Sequence, residues 1–216
     1  MMTNEKCLSL VCHQFRTTLS VLYSVIQNLH EEAHEALSPD QSEMVVTAYR
    51  SIGRTSHLID RLSKLEELQS RERVVQNSAV DLLSLIEDRV SQLKASGLGT
   101  MLDIQILACE DLPKMEADPD LLSELVDNLL DNAVRFARTE IVIELQVIAR
   151  YIFLSIRDDG PGFDSKFDFF HRGANIGLGL VICKTIIGLH GGKIWMVPAP
   201  EEGTEARLLL PIRNEN

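Results

Sequence analysis

Residues 8–29, LSLVCHQFRTTLSVLYSVIQNL, decide the first half of the fold. Their apolar side chains recur at alternating spacings of four and three, which turns one stripe of a helix toward a partner. The stripe consists of Leu8, Cys12, Phe15, Leu19, Leu22, Ile26 and Leu29. His13 lies beside this stripe, followed one turn later by Arg16 and Thr17. An imidazole on the shoulder of a stiff helix is well placed to accept a phosphoryl group, which the rest of the chain must then supply.

A second amphipathic run follows a turn at Ser38, Pro39 and Asp40. Pro39 disfavours helix at the residue before it, and Ser or Asp can cap a new helix. The stripe of this second helix is Met44, Ala48, Ile52, Thr55, Ile59, Leu62 and Leu65. Two helices joined by a short turn form an antiparallel hairpin, in which each helix keeps an apolar face that one partner does not cover.

The uncovered faces leave two possible arrangements for the hairpin. Two copies of the hairpin could close into a dimeric four-helix bundle, so the sequence predicts a homodimer. The alternative is that both helices pack on the C-terminal domain of their own chain.

The composition limits the partners of the protein. The 216 residues carry a net charge of −11, which argues against a nucleic-acid or anionic-membrane surface because phosphate groups repel this balance. No stretch approaches the ~20 apolar residues of a membrane helix, and the N-terminus lacks a signal-peptide core. We therefore expect a cytoplasmic chain without a membrane segment, whose sensor is a separate domain or protein.

The pattern of the chain changes after the polar residues 70–73, SRER. We predict a helical hairpin over 1–70, a linker over 71–77 and a second domain over 78–216. In the second domain, strand alternation and helical periodicity indicate an α+β sandwich with one helical layer. Its predicted helices lie near 80–93, 119–136 and 178–189. Its predicted strands lie near 102–107, 141–148, 152–157, 193–197 and 206–210.

Residues 124–136, ELVDNLLDNAVRF, carry two asparagines four positions apart. Asn128 and Asn132 therefore share one helix face. Neutral amide oxygens suit a Mg²⁺ ion that already has phosphate oxygens as charged ligands. A chance pair of asparagines on a surface helix would look the same, so this motif alone is weak.

The motif DDGPG over residues 158–162 follows directly after an apolar strand. Asp158 can accept a hydrogen bond from the exocyclic amine of adenine. Gly160 and Gly162 allow the backbone to come close to the ring. As an isolated string, the motif could also be no more than a β-turn.

Two further glycine motifs come later in the chain. Gly177, Gly179 and Leu180 open a helix, whose free N–H groups and positive dipole end suit phosphate. Gly203 and Thr204 lie in the last predicted hairpin.

The order and spacing of these elements resemble those of the bacterial sensor histidine kinases over almost the whole chain. These proteins combine a dimerisation and histidine-phosphotransfer hairpin with an ATP-binding domain of the gyrase, chaperone, kinase and mismatch-repair superfamily. The matching motifs are an H box at 13–19, an N box at 128–136, a G1 box at 158–162, an F box at 167–172 and a G2 box at 177–180.

The resemblance implies that ATP is held under a mobile lid and passes its γ-phosphoryl to His13. From there the group moves to an aspartate of a response-regulator receiver domain. By the same analogy, Asn128 and Asn132 hold Mg²⁺. The residues implied to contact ATP are Asn128, Asn132, Arg135 at phosphate, Phe136 and Asp158 at adenine, Gly160, Gly162, Arg172, Gly177, Gly179, Leu180 and Thr204.

The resemblance also gives Thr17 a function, because the family places Thr or Asn there to orient water for dephosphorylating the regulator. The alternative is a surface hydroxyl that bonds to its own helix backbone.

Three positions depart from the family pattern. Gln14 stands where the family usually has a carboxylate that takes the imidazole proton, and a carboxamide cannot act as that base. General-base help is worth roughly 10²- to 10⁴-fold, so its loss slows the kinase reaction without abolishing it. Thr18 replaces a common proline, which predicts a straighter helix. Only residues 173–176 separate Arg172 from Gly177, and Asn175 replaces a usual glycine, so the lid is short.

The motifs support two main hypotheses. The first is an active, dimeric ATP-dependent histidine kinase core. The second is a weakly active or inactive phosphotransfer and regulator-binding module, with a nucleotide-sensing ATP domain, whose His13 receives phosphate from another protein. Gln14 and the short lid favour the second, whereas the intact Asn, Asp and Gly motifs favour the first. A generic ATPase of the same superfamily is more remote, because it would not need the hairpin with His13.

Overall fold

The computed structural model describes residues 4–32, 37–70, 75–97, 101–162, 177–199 and 202–213. The chain divides into two compact units, Met1–Arg73 and Val74–Asn216. The first unit is helical, and the second combines helices with strands. Within the described residues, no helix is both long and apolar enough to cross a membrane.

The first unit is the predicted helical hairpin. Helix α1 spans Asn4–Glu32 and helix α2 spans Pro39–Gln69. Ser38 caps α2 as expected: its hydroxyl accepts from the Gln41 N–H at 3.3 Å, and the Gln41 side chain accepts from the Ser38 N–H at 2.9 Å. This reciprocal capping box satisfies two backbone donors that a helix start would otherwise leave unpaired. The predicted cap at Ser38 is therefore confirmed, whereas Pro39 and Asp40, predicted in the turn, already belong to the first turn of α2 because proline fits the first helical position.

The apolar stripe of α1 is divided between two faces. Cys12 is buried and Leu19 and Ile26 are half-buried, on the side that packs against α2. A neighbouring row at spacings of three and four stays exposed in the single chain. It consists of Phe15, Thr18, Leu22, Val25 and Leu29, which we call the outer stripe. Its four large apolar members are each between 42% and 53% exposed.

The described part of the second unit contains three helices and a five-stranded mixed sheet. The helices are α3 Leu82–Ala95, α4 Pro119–Phe136 and α5 Leu178–Leu189. The strands are β2 Asp103–Ala108, β4 Glu140–Ile148, β5 Tyr151–Asp158, β6 Lys193–Pro198 and β7 Thr204–Pro211, in the order β2-β4-β5-β7-β6. Strands β2 and β4 are parallel, and the other neighbours are antiparallel. All the predicted elements of this domain are confirmed.

The core lies between one face of the sheet and the helices. Side chains alternate along a strand, so every second residue of β5 points to the same face. The row Ile152, Leu154 and Ile156 is buried and continues into Asp158. Helix α4 turns an apolar face toward this row, whose buried members include Leu121, Leu122, Leu125, Val126, Leu129, Leu130 and Ala133. The predicted sandwich with one helical layer is therefore confirmed.

A separate two-stranded sheet was not predicted. Strand β1, Ser78–Val80, pairs antiparallel with β3, Met115–Ala117. Each strand has only three residues, too few for an alternation pattern to be recognised in the sequence. The pair attaches the segment that enters the domain to the residue before α4 begins.

Candidate functional site

The proposed phospho-acceptor, His13, lies exposed on α1, as do Gln14, Arg16 and Thr17. The guanidinium of Arg16 reaches across the hairpin to α2. Its Nε and Nη2 each lie 2.9 Å from Asp60 Oδ1, and Nη2 donates to the Ser63 hydroxyl at 3.3 Å. Arg16 therefore fixes the register of the two helices one turn after His13. Asp60 could not be predicted as its partner from the sequence, because the two residues are far apart along the chain.

Two threonine hydroxyls follow His13 on α1. Thr17 Oγ1 donates to the carbonyl of His13 at 3.1 Å, and Thr18 Oγ1 donates to that of Gln14 at 3.0 Å. Helix α1 continues without a break past Thr18. The backbone bond of Thr17 is the one foreseen in the alternative interpretation, and it leaves the hydroxyl oxygen able to accept a hydrogen bond from water.

The two asparagines of α4 differ in their surroundings. Asn128 is buried, and its amide nitrogen donates to the Glu124 carbonyl at 2.8 Å. That bond leaves its side-chain oxygen as a free acceptor. Asn132, one turn further on, is half-buried. The pair thus presents uncharged oxygen ligands on one face of the helix, which is the donor type that Mg²⁺ takes in proteins.

Asp158 is the last residue of β5 and is only 6% exposed. Burial raises the pKa of its carboxyl above the ordinary value, since the charged form loses water. Backbone N–H groups of Gly160 and Thr204 oppose this shift by bonding to the carboxylate. The Gly160 N–H donates to Oδ1 at 2.9 Å. The strand therefore ends on a fixed, buried acceptor, next to the apolar interior.

Close backbone contacts explain the glycines around Asp158. A Cβ on Gly160 would lie 2.4 Å from the Phe136 carbonyl oxygen at the end of α4. A Cβ on Gly203 would lie 2.0 Å from the Asp158 carbonyl oxygen, and φ there is +104°. Gly162 has φ +68°, and a Cβ there would lie 2.8 Å from the Gly203 carbonyl oxygen. The end of α4, the G1 motif and the last hairpin thus converge at one place, where only glycine fits.

Asp159, which sequence reasoning passed over, holds these segments together. Its carboxylate accepts from the Arg138 N–H at 2.7 Å, from the Thr139 N–H at 3.0 Å and from the Thr139 hydroxyl at 2.6 Å. Although desolvation acts in the opposite direction, these donors hold the pKa of the Asp159 carboxyl well below its ordinary value. The loop after α4 is thereby tied to the G1 motif. Only a structure could reveal this pairing, because the DD string does not show which carboxylate turns to which side.

Helix α5 lies antiparallel to α4. Leu125 lies seven residues after Asp118 and Cys183 seven residues before His190. The Asp118 N–H donates to His190 Nε2 at 3.1 Å. Seven residues away from this bond on both helices, Cys183 Sγ lies 3.9 Å from the Leu125 carbonyl oxygen. Continuing the same register by seven residues on α4 brings Asn132 to within one residue of the level of Gly177, the N-cap of α5.

Gly177 is the N-cap of α5 and makes no side-chain cap. The Leu180 N–H donates to the Gly177 carbonyl at 3.0 Å, which leaves the N–H groups of Leu178 and Gly179 without a partner among the described residues. Gly179 and Leu180 are buried in the first turn. The helix start therefore offers backbone donors beside the asparagine face of α4, as the sequence predicts for a phosphate site.

Three of the remaining predicted contact residues lie within the described part of the chain. Arg135 and Phe136 are exposed at the end of α4, with the guanidinium carbon 5.3 Å from the ring centroid. Thr204 is the register partner of Asp158 in β7. Arg172, the F box and the short lid lie outside the described residues.

The other face of the sheet has a cavity of its own behind the G1 motif. It is lined by Glu140, Val142, Arg157, Asp158, Asp159, Ala199 and Glu202. Its carboxylates outnumber its single guanidinium, so a polyanion such as a nucleotide is disfavoured there.

Two family models match the chain. The His Kinase A (phospho-acceptor) domain matches residues 3–71, and the histidine kinase-, DNA gyrase B- and HSP90-like ATPase family matches residues 117–214. The first covers the hairpin with His13, and the second begins directly before α4. Together they place a phospho-acceptor domain ahead of an ATPase domain.

Relatives and solved structures share this arrangement. The adaptive-response sensory kinase SasA of Synechococcus sp. (strain CC9902) is 28% identical over 226 residues, 96% of this chain and 57% of the relative. The alginate biosynthesis sensor protein KinB of Pseudomonas aeruginosa is 24% identical over 93% of this chain and 36% of the relative. Full-length ShkA in complex with AMPPNP has a TM-score of 0.78 at 20% identity, over 99% of this chain and 47% of that one.

The chain therefore spans between about a third and three fifths of the length of these curated relatives. Within that span, both domain types and their order are those of one family. We conclude that the chain belongs to the sensor histidine kinases, as a phospho-acceptor hairpin followed by the ATP-binding domain.

Proposed function

We propose that the chain is the cytoplasmic, ATP-dependent kinase core of a two-component system. It phosphorylates itself on His13 and passes the group to an aspartate of a response-regulator receiver domain. The observation that carries this proposal is the combination of an exposed His13 on the hairpin with a buried carboxylate, Asp158, at the end of β5. The first supplies an acceptor, and the second an adenine-binding group.

In the second unit, fixed hydrogen-bonding and charged groups position ATP. In this proposal Asp158 accepts from the adenine amine, and the ring of Phe136 borders the base. Phosphate oxygens meet the first N–H groups of α5 and the guanidinium of Arg135. This assignment is supported by the fixed geometry of Asp158 and by the free donors at Gly177. Fixed donors aimed at phosphate stabilise the charge that develops during transfer.

The α4 asparagines also fit a magnesium ion. The amide nitrogen of Asn128 is occupied by Glu124, so its oxygen is the group left to face a cation. Asn132 stands one turn away on the same face. When bound, Mg²⁺ would neutralise phosphate charge and orient the γ-phosphate. The two asparagines would hold it with phosphate oxygens and water as the other ligands.

The proposed phosphoryl transfer to His13 is a displacement at the γ-phosphorus of ATP. A ring nitrogen of neutral His13 attacks the γ-phosphorus, a P–N bond forms, and the bond to the bridging oxygen breaks to release ADP. The imidazole proton leaves to water, because the carboxamide of Gln14 cannot accept it. The second transfer breaks the P–N bond and moves the phosphoryl group from His13 to a carboxylate oxygen of the receiver domain. In the separate phosphatase reaction, Thr17 orients the water that hydrolyses the phospho-aspartate.

The outer stripe supports a homodimer. Phe15, Leu22, Val25 and Leu29 repeat at coiled-coil spacing and are exposed in the single chain. Two copies of the hairpin that bury these rows form a four-helix bundle. The receiver domain and an input domain or protein complete the assembly that we propose.

The weaker alternative, a phosphotransfer module without kinase activity, rests on Gln14. The comparisons do not favour it, because both domain families and the aligned relatives are those of kinases.

Incubation with γ-labelled ATP and Mg²⁺ tests the proposal. We expect label that is labile in acid and stable in base, as a phosphoramidate is. The label should be absent from His13→Ala and retained in His57→Ala, which removes another exposed histidine of the same hairpin. Label that survives acid, or that persists in His13→Ala, would contradict the proposal.

A further inference from the structure

Among the described residues outside the nucleotide motifs, His190 is the most deeply buried polar side chain. It follows α5 directly and is 0% exposed. Its Nε2 lies 3.1 Å from the backbone nitrogen of Asp118, and its Nδ1 lies 2.9 Å from the Ile186 carbonyl oxygen. A backbone N–H only donates, so Nε2 must accept, and the ring proton must sit on Nδ1 and be donated to Ile186. The imidazole is thus neutral and has both nitrogens occupied.

Asp118, the partner of His190, forms hydrogen bonds with three parts of the chain. It is 5% exposed and is the N-cap of α4. Its Oδ1 accepts from the N–H groups of Asp120 and Leu121 at 3.1 and 3.2 Å. Its Oδ2 accepts from the N–H of Gln76 at 3.1 Å. One residue therefore holds the start of α4, the end of α5 and the segment that enters the domain.

We call Gln76, Asp118 and His190 the entry node. It lies beside the β1–β3 pair, in which Ala117 pairs with Ser78 directly before Asp118. Every bond in the node joins distant parts of the chain: His190 and Asp118 are 72 residues apart, and Gln76 and Asp118 are 42 apart. The node is therefore a fixed point shared by three segments, with no nucleotide motif in it.

The opposite ends of the same two helices carry the nucleotide groups. Asn128 lies ten residues after Asp118 on α4, about 15 Å at the helical rise of 1.5 Å per residue. In the antiparallel register described above, the free N–H groups of α5 begin near the level of Asn132. Helices are stiff, so a change of tilt or sliding at the node changes the spacing between the asparagines and the α5 start. Small displacements of positioned groups are costly in such sites.

We propose that His190 is a positioning residue that sets the spacing of α4 and α5, and that the entry node couples the segment at Gln76 to the nucleotide site. The inference depends on the proposed function only in that nucleotide binds between the asparagines and the start of α5. The new statement is that nucleotide binding responds to the hydrogen bond between Asp118 and His190, about 15 Å along α4 from Asn128.

Two isosteric variants separate positioning from stability. In His190→Gln the amide oxygen reaches the Nε2 position and accepts from the Asp118 N–H, whereas the bond to Ile186 is lost. In His190→Asn the amide reaches only the Nδ1 position, so Ile186 keeps its donor and Asp118 loses its acceptor. Each variant forfeits one buried hydrogen bond, and we expect similar losses of thermal stability.

Calorimetric titration of the full chain with ATP and Mg²⁺ measures how the entry node affects ATP affinity. We expect His190→Asn to bind ATP about fivefold or more weakly, which is the lower range of couplings between distant sites, and His190→Gln to stay within about twofold of the parent. Equal affinity of the two variants overturns the inference. A parent that binds no ATP instead contradicts the proposed function, so the two failures are distinguishable.

Amide exchange in the unaltered protein tests the same inference if the variants do not fold. Coupling is reciprocal, so ADP with Mg²⁺ should slow exchange of the Asp118 N–H. The Cys109 N–H, bonded to Leu145 at 3.1 Å at the far end of the sheet, is the control. Binding stabilises the whole domain and protects both amides, so the inference requires greater protection at Asp118. Equal protection of the two amides overturns it.

Discussion

At the scale of single residues, the pKa of a carboxylate at the end of a strand depends on which way its side chain turns. Asp158 occupies the next inward position after Ile152, Leu154 and Ile156, so the alternation that builds the core also buries its carboxyl. Asp159, one residue later, turns to the loop after α4 instead. Two adjacent carboxylates thus acquire opposite pKa shifts from their surroundings.

Replacement of Asp158 should weaken both ATP binding and folding. Asp158→Ala removes a hydrogen bond to a charged acceptor, worth ~1.5–3 kcal/mol, and should weaken ATP at least about tenfold. The melting temperature should also fall, because the Gly160 and Thr204 N–H groups lose their buried acceptor. Calorimetry and thermal melts measure the two effects, with the exposed Asp111→Ala as a matched control. Unchanged ATP affinity in Asp158→Ala would place the residue outside the site.

Asp159 should make stability depend on acid pH. Folding lowers the pKa of its carboxyl, so in acid the unfolded chain binds more protons than the folded chain, and acid favours unfolding. Its stabilising contribution is present above the unfolded pKa of about 4 and is lost as the pH falls below it. Denaturant unfolding from pH 7 to pH 3 should show Asp159→Asn less stable than the parent at neutral pH, with the gap closing in acid. A gap that stays constant, or one equally present in the exposed control Glu87→Gln, contradicts this assignment.

Gln14 should limit the chemical step of autophosphorylation. Gln14→Glu places a proton acceptor beside His13 and should raise the rate about tenfold or more, within the usual range of general-base help. ATP affinity should be unchanged, since residue 14 belongs to the hairpin. Gln14→Ala, which has no base either, should remain near the parent rate. If Gln14→Glu stays at background while ATP binds, the phosphotransfer-module hypothesis becomes the better one.

At the scale of elements, periodicity predicted the helices and strands longer than three residues, because each repeats its pattern often enough to be recognised. Strands β1 and β3 escaped prediction because three residues carry no pattern. The division of the α1 stripe into two rows also required the structure. The sequence shows that Cys12, Phe15 and Leu22 are apolar, and only the packing against α2 shows that Phe15 and Leu22 are left exposed.

The outer stripe leads to a prediction on assembly. Leu22→Lys places a charge in the centre of the row that two copies would bury, so the protein should become monomeric at micromolar concentration. Ser24→Lys adds the same charge to an exposed position on the other side of α1, and should leave the dimer intact. Light scattering of both variants measures the outcome. A parent that is already monomeric, or a Leu22→Lys protein that stays dimeric, would rule out this interface.

At the scale of the whole molecule, each of the two units carries a different set of motifs. The hairpin provides the acceptor and the exposed stripe, and the second unit provides the nucleotide motifs. Local motifs in the sequence predict the candidate functional residues of both units. The bonds that hold them in place, such as Arg16 to Asp60 and Asp118 to His190, were not predictable, because each joins residues more than forty positions apart.

The central claim, that the γ-phosphoryl of ATP reaches His13, is tested most directly by locating the phosphate. After incubation with ATP and Mg²⁺, tryptic digestion at neutral to basic pH releases residues 7–16, CLSLVCHQFR, in which His13 is the only histidine. The account predicts that mass spectrometry finds the phosphoryl group on His13 of this peptide, and that Asp158→Ala greatly reduces it. Phosphate on any other residue, or an unmodified His13 in a protein that binds ATP and Mg²⁺, would contradict it.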